Sequence, residues 1–129
     1  MKKTISPTEL EKALKNSQKL SVTFFRQKAS GSEPVRDWLR QLPENERKAI
    51  GENIKAVQYG WPMGLPLVDH IEGDIWEVRT RLPNRIARVL FAFESNTMVL
   101  LHGFIKKDRA TPKVDKKIAS DRLKLIKNP

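Results

Sequence analysis

The chain has 129 residues, 39% of them hydrophobic, enough for one domain with a buried core. It contains no cysteine, which excludes a disulfide framework and a thiolate metal site, and no run approaches the roughly 20 apolar residues of a membrane span. The formal charge of +10 is one-sided: residues 1–78 hold 12 Lys/Arg against 11 Asp/Glu, and residues 79–129 hold 13 against 4. A localised cationic half points to a polyanionic partner through counterion release and electrostatic steering.

The amino terminus, MKKTISPTELEKALK, carries positive charge without the apolar run of a secretory signal, and a cytoplasmic location is expected. Ser6 reads as a helix N-cap, Pro7 as the first helical position and Glu9 as the partner in a capping box. Leu10 and Leu14 give that helix only a thin apolar stripe. Residues 1–19 are therefore set apart as an N-terminal helical extension, and residues 20–129 as the main domain.

Residues 20–27 (LSVTFFRQ) are rich in β-branched and aromatic side chains and predict the first strand. Val35, Trp38, Leu39 and Leu42 then fall at the spacing of one buried helical stripe, which Leu42-Pro43 interrupts. A second helix is predicted from about residue 44 to 59, with Ile50, Ile54 and Val57 inward and Gly60 as its stop. The WPMGLP segment after it reads as a loop. Three further strands are predicted over about 74–81, 86–94 and 98–105. The link at residues 82–85 is read as long for a simple hairpin turn, and a second turn is expected at residues 94–97. Thr111-Pro112 reads as the N-cap and first position of a final helix, with Val114, Ile118 and Leu125 packed inward. The expected fold is α+β: a small antiparallel sheet of about four strands, two helices after strand 1 packed on one face, and a C-terminal helix. The other face is expected to stay partly open.

The candidate site lies on the hairpin. Along the strand at 74–81, Trp76 and Val78 share one face, while Glu77, Arg79 and Arg81 share the other. Arg85 and Arg88 follow on the next strand. The last strand ends in His102, Phe104, Lys106 and Lys107. Arginine suits phosphate because its planar fork makes two parallel hydrogen bonds and keeps its proton. The plain alternative for Arg79 is a surface arginine paired with Glu77. Parity leaves Arg88 open to either face. Phe104 reads either as a stacking platform for an unpaired base or as core packing. His102 and His70 are the only histidines, so they are the candidates for proton transfer near neutral pH. His102 reads equally as a core histidine held by a hydrogen bond. Two histidines with neither cysteine nor an HExxH spacing predict no metal site, and no cofactor is expected.

The pattern GLP-L-V-x-H-I at 64–71, DIWEVR at 74–79, RVLF at 88–91 and LLHGFIKK-x-x-x-TP at 100–112 resembles the RelE/ParE superfamily, most closely its phage-derived, HigB-like branch. The likeness covers about residues 20–125. It implies the toxin of a type II toxin–antitoxin module, partnered by a helix-turn-helix, HigA-like antitoxin. RelE-like members cut messenger RNA in the ribosome's decoding site without metal, whereas ParE-like members inhibit DNA gyrase. For this chain the resemblance implies a metal-independent, ribosome-dependent endoribonuclease. Attack by the 2′-hydroxyl would leave a 2′,3′-cyclic phosphate and a 5′-hydroxyl. The alternative is a ParE-like, non-catalytic inhibitor of gyrase.

Carried over by position, Arg79 is the arginine at the scissile phosphate, and Lys106 or Lys107 is the cation after the last strand. His70 stands where RelE relatives carry lysine. Arg81, Arg85, Arg88 and Phe104 are assigned to RNA binding. RelE's tyrosine near the carboxyl-terminal end has no counterpart here, since the only tyrosine is Tyr59.

Overall fold

The computed structural model describes residues 6–9, 20–108 and 110–129. Residues 7–9 are helical, and Ser6 Oγ accepts the Glu9 backbone N–H at 3.2 Å, the expected N-cap contact. Leu10 and Leu14 lie outside the described residues.

The main domain is α+β, with β1 (Ser21–Phe24), α1 (Pro34–Arg40), α2 (Glu44–Gly60), β2 (Val68–Glu72), β3 (Ile75–Leu82), β4 (Arg85–Glu94), β5 (Thr97–Lys106) and α3 (Lys113–Lys127). Among the described residues five strands form one sheet in the order β1-β5-β4-β3-β2, where about four were expected. The additional strand is β2, which pairs antiparallel with β3. The strand is short, it gives one apolar residue to each face (Val68 to the α1/α2 side, Ile71 to the α3 side), and its pairing slips between His70 and Glu72, so no one-sided alternation marks it in the sequence. β1 pairs with β5 in parallel, making the sheet mixed. None of the described helices is long and apolar enough to cross a membrane.

The hairpin turns follow from local chemistry. Leu82 pairs with Arg85, so the β3–β4 link is a tight two-residue Pro83-Asn84 turn and not a long one. Asn84 takes φ 60°, a conformation asparagine tolerates after proline. Ser95 and Asn96 both have positive φ (46° and 61°), as a type I′ turn requires between right-twisted strands.

Alternation along β4 divides the core in two. Ala87, Val89 and Phe91 meet Val35, Ile50 and Val57 of α1 and α2, while Leu90 and Ala92 meet Ala119 and Leu123 of α3. The α1 and α2 stripes are those the apolar spacing predicts. Trp38 of α1 lies on Gly103 so closely that a Cβ there would come within 2.3 Å of its ring. The third helix is turned differently from expectation. Val114 and Leu125 are 64% and 61% exposed, and the inward positions are Asp115, Ala119 and Leu123. Polar anchors explain the rotation: Asp115 bonds to His102, and Arg122 donates to the Leu101 carbonyl at 2.7 Å while lying over Phe25. Thus α3 covers part of the face that was expected to be open.

Candidate nucleic-acid interface

Register brings most of the expected residues onto the α3 face of the sheet. Arg79 pairs with Arg88, which pairs with Phe104, giving one row across β3, β4 and β5. The next row toward the strand ends is Arg81, Ile86 and Lys106. The row on the other side is Glu77, Leu90 and His102. A bulge at Leu90/Phe91 keeps His102 and Phe104 on this face, with their rings stacked at 5.6 Å.

The two central arginines are built into the fold. Glu77 and Arg88 are both 0% exposed. Arg79 Nε donates to Glu77 Oε1 at 2.8 Å, and its Nη2 reaches Asp69 Oδ2 at 3.2 Å. The pairing of Arg79 with Glu77 that the strand pattern allows is therefore present. Arg88 Nη1 lies 3.7 Å from Glu77 Oε1, while Nη2 donates to the Asp108 carbonyl. Thr111 Oγ1 completes the network by donating to Glu77 Oε2 at 2.7 Å. Burial lowers the pKa of the Arg88 guanidinium, and Glu77 acts in the opposite sense.

The outer cations are less constrained. Arg81, Lys106 and Lys107 are exposed. Arg81, Ile86 and Lys107 line a groove of about 430 Å³ at the end of the hairpin, with Asn84 and Arg85. A neighbouring hollow of about 230 Å³ is lined by Arg79, Arg81, Ile86 and Asn53. A third, of about 250 Å³, runs from Arg79 past Thr111 to Lys116. The first two share Arg81 and Ile86, and the second and third share Arg79. Arg85 has a structural partner as well: it bonds to buried Glu46 and ties the β3–β4 turn to the first turn of α2.

The two histidines are separated. His102 Nε2 lies 2.6 Å from Asp115 Oδ1, with only 15% and 12% of the two side chains exposed. An aspartate that orients a histidine beside an arginine cluster can support proton transfer, and it can equally fasten β5 to α3. Asp115 is the site residue the sequence reading lacked, since a charged residue among lysines reads as part of a wet helix face. His70 pairs across from Trp76, away from the Arg79 row. Its ring lies 4.5 Å from the Trp76 ring and its Nε2 is 2.7 Å from the Gly73 carbonyl oxygen. It does line the end of the third hollow.

Residues 37–124 match the model of the family described as phage derived protein Gp49-like (DUF891). Comparison with curated proteins returns no match.

Proposed function

The chain belongs to the phage-derived Gp49-like family, within the RelE/ParE-like toxin superfamily, and from that premise we propose that it is the toxin of a toxin–antitoxin module, a HigB-like endoribonuclease acting on ribosome-bound messenger RNA. One observation carries the reading beyond the family. A single sheet face holds the row Arg79–Arg88–Phe104 between Arg81 and Lys106 on one side and His102 on the other.

Strand cleavage needs the 2′-oxygen to bond to phosphorus while the bond to the 5′-oxygen breaks. One proton leaves the 2′-hydroxyl and one reaches the departing 5′-oxygen. Charge builds on the phosphate oxygens between these events, and preorganised cations lower the barrier because they already point where it develops. Arg79 is assigned to the scissile phosphate. Its contact with Asp69, whose side chain is 33% exposed, is the one an entering phosphate replaces, while buried Glu77 keeps the guanidinium in place. Arg81, Lys106 and Lys107 take neighbouring phosphates, and His102, oriented by Asp115, carries one of the two protons. The partner is a helix-turn-helix antitoxin that covers this cationic surface.

Primer extension on cellular messages after brief induction tests the reading. The expected result is new 5′ ends inside coding sequence, absent for Arg79→Ala at equal protein level. Intact messages together with gyrase-dependent DNA breaks would replace the nuclease with a gyrase inhibitor.

A further inference from the structure

Holding Arg79 for a phosphate does not by itself account for Glu77. A face that attracts polyanions gains nothing from a negative charge at its centre, and a fully buried carboxylate persists only where its partners compensate its lost hydration. Its partners come from two parts of the chain. Oε1 accepts Arg79 Nε at 2.8 Å, and Oε2 accepts the Thr111 hydroxyl at 2.7 Å. Arg88, lying 3.7 Å from the same carboxylate, donates to the Asp108 carbonyl and, at 3.4 Å, to Thr111 Oγ1. Both Asp108 and Thr111 belong to the connection between β5 and α3.

Thr111 is informative because its hydroxyl is diverted. The Thr-Pro pair reads as a helix cap, yet the N-cap position of α3 is Pro112, and among the described residues no side chain caps the helix. The hydroxyl is used by Glu77 instead. Behind this tether the chain carries Lys107 at one end. At the other it carries Asp115, in the first turn of α3, against His102. One carboxylate therefore links the arginine row, the last cation of the groove and the histidine–aspartate pair.

We propose that Glu77 is a positioning residue that, through Arg79, Arg88 and Thr111, holds Asp108 and Thr111, between β5 and α3, in the arrangement the site needs. The activity arm of its test rests on the nuclease reading; the structural arm does not. Glu77→Gln, Thr111→Val and Thr111→Ser are made in the full chain, the threonine pair serving where Glu77→Gln fails to fold. Two quantities are measured: the rate of tryptic cleavage after Lys106 and Lys107 without RNA, and kcat and KM for cleavage of ribosome-bound message. Thr111→Val should speed tryptic cleavage and lower kcat by on the order of 10- to 100-fold, with KM little changed, because a small misplacement of catalytic groups costs that much. Thr111→Ser, which keeps the hydroxyl, should restore both. A folded Thr111→Val protein with normal trypsin resistance overturns the tether, whether or not the wild type cleaves RNA. Faster proteolysis with unchanged kcat overturns the positioning role. A wild type that cleaves no message removes the nuclease reading, and the tether is then decided by the trypsin arm alone.

Discussion

Removing Arg88 tests whether the polar network on the α3 face also stabilises the fold. Arg88 and Glu77 are both 0% exposed, so Arg88→Met keeps much of the side-chain volume while leaving a buried carboxylate with one cation fewer. Breaking a buried ion pair from one side costs about 3–5 kcal/mol. Glu77 retains Arg79 Nε and the Thr111 hydroxyl, at 2.8 and 2.7 Å, which places the expected loss at the lower end, about 3 kcal/mol. The double variant Arg88→Met/Glu77→Gln removes both charges and should recover part of the loss. A coupling of about 0.5–3 kcal/mol is the range for directly interacting groups. The assay is urea unfolding followed by the fluorescence of Trp38, Trp61 and Trp76 and by far-ultraviolet circular dichroism, with equal m-values required for comparison. A loss under about 1 kcal/mol for Arg88→Met, or strictly additive single changes, would refute the claim that the buried charges depend on each other.

Gly103→Ala should destabilise by about 1–3 kcal/mol, because the new Cβ would lie 2.3 Å from the Trp38 ring, and a lowered melting temperature checks it. His102→Gln and Asp115→Asn should each slow message cleavage by about 10²–10⁴-fold if the pair moves a proton. If instead only the urea midpoint falls, the pair is a fastening between β5 and α3. Arg81→Ala should weaken binding to single-stranded RNA and make log K less steeply dependent on log salt by about 0.7, the share of one neutralised phosphate on a single strand. Fluorescence anisotropy across a salt series measures that slope.

The sequence makes much of this legible where one local rule dominates. The stripe of Val35, Trp38 and Leu39 and that of Ile50, Ile54 and Val57 appear as predicted, because in these two helices apolar spacing decides which side is buried. Parity likewise places Arg79 and Arg81 opposite Trp76 and Val78. What escaped reading depends on partners distant in the chain. β2 is short and bulged, so its pairing with β3 leaves no alternating pattern. The inward side of α3 is set by Asp115 and Arg122, whose partners His102 and Leu101 lie on another element. Thr111 looks like a cap because capping is local, and only the fold reveals that Glu77 takes its hydroxyl. For the same reason the burial of Glu77 is invisible along β3, where it reads as a glutamate on an arginine-rich open face.

The most direct test of the nuclease reading uses purified protein and ribosomes programmed with a defined message, at magnesium levels that keep the ribosomes intact and with transition metals chelated. Cleavage at discrete positions is expected, with 2′,3′-cyclic phosphate and 5′-hydroxyl ends, and loss of one transition-state donor in Arg79→Ala should slow it by on the order of 10²–10³-fold. Ends bearing a 5′-phosphate would indicate attack by water and contradict the proposed chemistry. An intact message under conditions where the same protein inhibits DNA gyrase would contradict the function itself.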